Sequence, residues 1–388
     1  MSTASPAPVP DLSLAVAREW FPVFNRWAYL DFAGVAPIPQ IAVDAATLAL
    51  EAQALDAIVS VDDTEAAIEE LREDVARFVG ATAEEIAFVR NTTEGLGWVA
   101  NGLGLGAGDR VVVAGDDFPS AVLPWTNLAA RGVDVDVVAR RGPGVVLDDL
   151  VAAVGGGKPP ALVALTWVHY ATGWRTDLGE IVRACHERGS LVCADVIQGV
   201  GVMPLDLHAT GVDFAAADGH KWLCSVEGQG FLYVRHSVLD RLQVLEPGWN
   251  SVVQRGQWED LAWTPDPGAR RLEGGTPTRV ALAALLASLH LLASTGSERI
   301  WDRVRDLTNR VVAGVHDAGM NLLTARDPAH ASGIVTFSHP RMRAEDLGAL
   351  LRSRGVVVAA PRGGGVRVSP HFVCNEDDVD ALLEALPR

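Results

Sequence analysis

Two short apolar runs constrain this chain more than anything else in it. Leu191 to Ala194 delivers Asp195 at its carboxyl end, and Val212 to Ala217 closes on Asp218, Gly219, His220 and Lys221. Short runs of this kind read as strands buried on both faces, the signature of a parallel sheet covered by helices. In an open α/β sheet, ligands bind in the crevice at the carboxyl ends of the strands. An acid and a lysine leaving two such ends are therefore expected to point at one bound molecule. A helix cap and a solvated cation would give the same letters, so the pair alone leaves both readings open.

Composition narrows the frame. A chain of 388 residues with 49% hydrophobic content has room for two or three domains and ample material for a packed core. Its net charge of −17 argues against a nucleic acid or an anionic membrane as partner, since both demand clustered Lys and Arg. Cys185, Cys193, Cys224 and Cys374 form no C-x-x-C pair and show no metal-ligand spacing with His. Neither a disulfide framework nor a zinc site is expected, and a reducing, cytoplasmic setting fits. The opening MSTASPAPVP lacks the basic and apolar regions of a signal peptide, and no run is long enough to span a bilayer.

A buried carboxylate and an ε-amine at a sheet edge are what pyridoxal 5′-phosphate (PLP) needs. The amine condenses with the cofactor aldehyde, and the carboxylate keeps the pyridine nitrogen protonated so that the ring accepts electrons. The stretch resembles the active-site core of fold-type I PLP-dependent enzymes, in the class V aminotransferase branch. That branch also holds cysteine desulfurases, isopenicillin N epimerase-like proteins and several C–S lyases. The likeness is carried by Asp195, by Gln198 three positions later and by His220-Lys221 in ADGHKW, and it extends from about Asp11 to the C-terminus. It implies Lys221 as the Schiff-base lysine, Asp195 on the pyridine nitrogen, Gln198 on the phenolic oxygen and His220 beside the phosphate. Desulfurases usually carry Ser where this chain has Asp218; a carboxylate cannot donate to a phosphate and repels it.

The resemblance implies an α/β, PLP-dependent transferase-like fold. Its large domain has a mostly parallel seven-stranded sheet sandwiched by helices, followed by a small C-terminal α+β domain. The expected divisions are an N-terminal arm and helix over 1–26, a large PLP-binding domain over 27–279 and the small domain over 280–388. Asp11 reads as a cap for a first helix and Asp63 as a cap for a helix over 64–78.

Other segments supply candidate site residues. After the strand Ile86–Val89, the turn Asn91-Thr92-Thr93 opens a helix whose free N–H groups and hydroxyls suit an anion, although helix capping alone selects the same residues. The resemblance places the cofactor phosphate there, on Thr92 and Thr93. GDDFPSAVLPW resembles a subgroup carrying Phe-Pro-Ser where desulfurases have two histidines, which implies Phe118 stacked on the cofactor ring, with Pro119 as the alternative. TWVHYATGW is similar to the same subgroup at Tyr170, Thr172 and Gly173; His169, where Gln is usual, reads as either a structural residue or a substrate contact. Ala33 and Gly34 lie in a small-residue loop that lines the substrate site in the family. Arg367 matches the family's substrate-carboxylate arginine, and Arg362 is a second nearby cation. Thr276 of the GGTP turn and Trp249 of PGWNSV correspond to residues that reach the partner subunit's site, implying a homodimer with shared active sites.

Reaction type is less constrained, because this fold hosts transamination, epimerisation, desulfuration and elimination. A desulfurase of the usual kind carries a thiol on a loop shortly before the carboxylate arginine, and no cysteine stands there. The sequence thus points to β-elimination from a cysteine S-conjugate by a C–S lyase, with amino transfer or epimerisation as alternatives, and to the exclusion of cysteine desulfuration. A catalytically silent relative of the fold is the non-enzyme alternative, disfavoured because every core cofactor residue is present.

Overall fold

The computed structural model describes residues 14–144, 147–325, 327–361 and 364–387. The expected Asp11 cap and most of the N-terminal arm lie outside the described residues. After a two-residue strand β1 (Ala28–Tyr29), the chain lays down β2 (Ile86–Val89), β3 (Arg110–Ala114), β4 (Asp134–Val138), β5 (Leu162–Thr166), β6 (Leu191–Asp195), β7 (Phe214–Asp218) and β8 (Gly230–Val234). β2 to β8 form one seven-stranded sheet in the order β2-β8-β7-β6-β5-β3-β4. Within it only β8 runs antiparallel to its neighbours.

Burial follows the residues. β5, β6, β7 and β8 are buried along their whole length, as their unbroken apolar character requires. β4, with the sequence DVDVV, is half exposed at the sheet edge, where Asp136 pairs with Arg110 of β3 at 2.7 Å. Charged residues on an exposed edge discourage pairing with another sheet. Pairing of Thr166 with Asp195 and of Asp195 with Ala216 aligns the carboxyl ends of β5, β6 and β7, which fixes the crevice.

The C-terminal part contributes β9 (Asn321–Leu322), β10 (Val335–Ser338), β11 (Val356–Val357) and β12 (Val366–Val368), with β12-β10-β9 as an antiparallel sheet. β1 pairs in parallel with β11, and Asp31 bridges to Ser369. The loop after β1 is thereby tied to the strand that carries Arg367. The helix Gln40–Asp56 lies against Arg279–Thr295, which breaks from Ser297–Asp317 at Gly296, where φ is +87°. Among the described residues no single helix is long and apolar enough to cross a membrane; those two helices meet the length and composition only as a pair bent by 80°.

Two local expectations shift. Asp63 falls inside the helix Val61–Phe78 rather than before it. The segment 125–131, whose sequence reads as a helix of its own, continues a helix that begins at Pro119, whose fixed φ suits a first helical position, and passes into a 3-10 turn at Asn127.

Candidate active site

A cavity of about 530 Å³ opens where the ends of β5, β6 and β7 meet the loop after β1 and the strand β12. Asp195 ends β6 and is 4% exposed. Its Oδ1 accepts the backbone N–H of Ile197 at 3.0 Å. Burial pushes its carboxyl up to about 7, against the lowering effects of that N–H and of Lys221. Lys221, three residues past β7, is pulled down to about 8 by burial, with Asp195 raising it and Arg367 lowering it further. The two residues singled out from the sequence thus share one dry site, and each shifts toward its neutral form.

Phe118 lies at the lip of the cavity, directly before the helix Pro119–Thr126. Lys221 Nζ is 5.5 Å from its ring centroid, and Tyr170 meets the ring edge-on at 5.6 Å. Between the two residues left open by sequence, Phe118 is the one that lines the cavity.

The start of the helix Thr92–Gly102 also lines the cavity. Asn91 caps it by accepting the N–H of Glu94 at 2.9 Å, and the Thr93 hydroxyl donates to Ser120 at 2.8 Å. Thr92 Oγ1 is buried without a partner. His220 Nδ1 lies 3.1 Å from Asp218 Oδ2, yet neither His220 Nδ1 nor Asp218 Oδ1 makes an aligned hydrogen bond. Buried polar atoms are seldom left so, and a helix N-terminus beside them favours an anion. Asp218 lines the same cavity.

Gln198 is held at both ends, donating from Nε2 to Ala33 O at 3.0 Å and accepting from Trp222 Nε1 at 3.0 Å. One Nε2 hydrogen remains for a ligand oxygen. The Ala33 N–H donates to Ser369 Oγ at 3.1 Å, and its carbonyl oxygen, with Gln198 as one partner, keeps a second lone pair. Ala33 lines the cavity. Gly34 also lines it.

Arg367 is 5% exposed and reaches the cavity from β12. Its Nη1 donates to Tyr170 O at 2.9 Å and its Nη2 to Asp31 Oδ1 at 2.8 Å. Arg362 lies outside the described residues. His169 does not line the cavity. Its Nε2 is 2.8 Å from Asp116 O, and its Nδ1 accepts the N–H groups of Ala171 and Thr172 at 3.3 and 3.2 Å. With Nδ1 accepting and Nε2 donating, the ring has no valence left for a substrate, so of the two readings left open the structural one holds. Thr276 and Trp249 are exposed and stand apart from this cavity; Trp249 meets Trp258 edge-on at 5.8 Å in a separate pocket.

Asp31 and Asp117 line the cavity and were not singled out from the sequence. Asp31 carried the same signal as Asp195, an acid closing a short strand, and Asp117 directly precedes Phe118. Burial raises the Asp117 carboxyl above the usual range, with His169 acting to lower it.

The residues present fit PLP on their own chemistry: a buried amine and a buried acid lining one cavity, an aromatic ring beside the amine, and an orphaned hydroxyl at a helix start. The comparisons agree. The sequence matches the family Aminotransferase class-V over residues 28–382. This chain belongs to that family. It is 31% identical to a probable cysteine desulfurase of Methanothermobacter thermautotrophicus, over 95% of this chain and 96% of that protein. Among solved structures, the apo cysteine desulfurase of Thermococcus onnurineus superposes with a TM-score of 0.85 at 25% identity, covering 95% of this chain and 96% of that one. A C-DES variant with glycine covalently linked to its PLP cofactor gives 0.87 at 23% identity, covering 95% and 98%, a likeness of fold. The protein is a PLP-dependent enzyme with the α/β, PLP-dependent transferase-like architecture.

These relatives correct the reaction read from sequence. The ranking that put elimination from a cysteine S-conjugate first and left desulfuration out is overturned by a curated relative named for that very reaction. The physical reason is that a loop cysteine bears on where the sulfur goes next. Lys221, Asp195 and Arg367 line the cavity whichever thiol takes the sulfur.

Proposed function

We propose that this enzyme removes sulfur from L-cysteine, with PLP held by Lys221, Asp195, Gln198, His220, Thr92 and Thr93 and covered by Phe118. The convergence of Lys221, Asp195 and Arg367 on one buried cavity carries the reading, and the 31% identical relative named as a probable cysteine desulfurase supports it.

Bound PLP supplies an electron sink for charge developing at the substrate Cα. Asp195 holds a negative charge where a protonated ring nitrogen would lie, and that cation would offset the cost of keeping the carboxylate buried. Arg367 takes the substrate carboxylate through its guanidinium fork. Lys221, which burial pulls down to about 8, gives up its proton more readily than an ordinary lysine and in this reading moves the proton at Cα from Nζ. Phe118 and Tyr170, in edge-on contact, border the reacting face at the mouth of the cavity. All four cysteines are buried, burial pushes their thiols up, and none lines the described cavity. The acceptor in this reading is therefore an external thiol, and the balanced reaction is L-cysteine plus thiol giving L-alanine plus persulfide.

Thr276 and Trp249 complete the site of a second copy in this reading, so the working unit is a homodimer. The test of the reaction is product analysis with L-cysteine and excess dithiothreitol. Alanine and sulfide should rise one to one over many turnovers. Pyruvate with ammonia in place of alanine, or no sulfide at all, would overturn desulfuration.

A further inference from the structure

The cation at the substrate end of the cavity already holds a carboxylate. Arg367 Nη2 donates to Asp31 Oδ1 at 2.8 Å, Nη1 donates to Tyr170 O at 2.9 Å, and the buried Nε has no partner. The pair is withdrawn from water, with side-chain exposures of 6% for Arg367 and 17% for Asp31, and both residues line the cavity. A ligand carboxylate arriving here meets Nε and the remaining Nη hydrogens with Asp31 seated beside it.

The chain is built to keep Asp31 there. Asp31 bridges to Ser369, two residues beyond Arg367, so backbone pairing fixes the separation of the two side chains. The Asp31 carboxylate folds over Gly34, where a Cβ would lie 2.4 Å from Oδ2 and 2.9 Å from Cγ. Gly34 is not among the residues with positive φ, so what the position requires is clearance for the carboxylate.

We propose that Asp31 is a specificity-determining residue, which restricts the substrate to a monocarboxylic amino acid with a neutral or cationic side chain and excludes dicarboxylic ones. The inference rests on the assignment of Arg367 to the substrate α-carboxylate. With Asp31 and that carboxylate on one guanidinium, its single positive charge is already exceeded. Lys221 serves the cofactor and the proton at Cα, while Asp218 adds an acid to the same lining. Among the described residues no second arginine lines the cavity, so a second substrate carboxylate would meet the acids Asp31 and Asp218 in a dry site, and like charges in such a setting lower affinity by about tenfold or more. L-Cysteine satisfies the restriction.

Carboxylates without an amino group isolate this property from turnover. Propionate and succinate would be titrated calorimetrically into the cofactor-loaded enzyme and into Asp31→Asn, Gly34→Ala and Arg367→Ala. The native enzyme should prefer propionate by at least about tenfold; in Asp31→Asn, which keeps the acceptor oxygen and loses the charge, the gap should close to about threefold. Gly34→Ala should follow it by displacing the carboxylate. Equal binding of both acids by the native enzyme, or an unchanged gap in Asp31→Asn, would overturn the role of Asp31. Undiminished propionate binding in Arg367→Ala would instead remove the Arg367 assignment itself, so the two failures are separable.

Discussion

At the scale of single residues, the site stores charge it would rather not carry, and this makes a testable pH signature. Asp195 has a folded-state value of about 7 against about 3.9 unfolded. Between those values the folded protein holds a proton that the unfolded chain has released, so stability falls as pH rises from about 4 to 7. Lys221 works the other way. Its folded value of about 8 lies below the unfolded 10.5, so the unfolded chain binds the extra proton and stability rises from about pH 8 to 10. The cofactor-free enzyme should therefore melt lowest between about pH 7 and 8, with a dip on the order of a few kcal/mol. PLP gives Asp195 a cationic partner and should flatten the acid side; Asp195→Asn should flatten it without PLP. Melting temperatures of cofactor-free, loaded and variant protein across pH 5 to 10 check this, and an acid-side slope unchanged in Asp195→Asn would refute it. Asp195 and Lys221 were legible as neighbours in one cavity because each follows a buried apolar run, whereas Phe118 came from the family resemblance, which left Pro119 open beside it. The burial of His169 and the pairing of Asp31 with Arg367 were not, since they depend on which backbone carbonyls and which distant strand come alongside.

At the scale of elements, the cofactor wall is held from behind by one buried ion pair. Arg72 of the helix Val61–Phe78 donates to Glu273 Oε1 at 2.5 Å and to Ile86 O at 2.9 Å, and Glu273 Oε1 also accepts the N–H of Phe88 at 2.8 Å. Both side chains are about 5% exposed, at 4% and 6%, and the Arg72 guanidinium lies 4.7 Å from the Phe88 ring centroid. One cluster thus fastens a helix, the strand that leads into Thr92, and the segment that leads into Thr276. Removing one partner strands the other charge in the interior, so Arg72→Ala should cost about 3–5 kcal/mol in denaturant unfolding, whereas a comparable truncation at exposed Arg343 should cost under about 1 kcal/mol. A loss below 1 kcal/mol at Arg72 would show that the cluster does not fasten these elements. The strands of the sheet were readable because full burial leaves an apolar run, as in Leu162–Leu165. Boundaries near Pro119 were not, because the proline that could stop a preceding helix starts this one.

At the scale of the whole molecule, the α/β core was legible from the alternation of buried strands and helices together with the family resemblance. The parallel pairing of β1 with β11 was not, for it joins two-residue strands more than three hundred positions apart. That pairing closes one side of the cavity within a single chain. The other side has no such closure from Thr276 and Trp249, which are exposed on their own subunit. If they act on a partner's site, two defective variants should rescue one another. Lys221→Ala lacks the lysine in its own site, and a Trp249→Ala, Thr276→Ala double variant spoils the site it borders. In a mixed dimer, the lysine of the second variant would meet the intact Trp249 and Thr276 of the first, giving one whole site out of two. Activity of the purified mixed species should return to roughly half that of the native dimer, while each variant alone stays near background. If Trp249 and Thr276 serve their own chain instead, both sites in the mixed species remain defective and no activity returns.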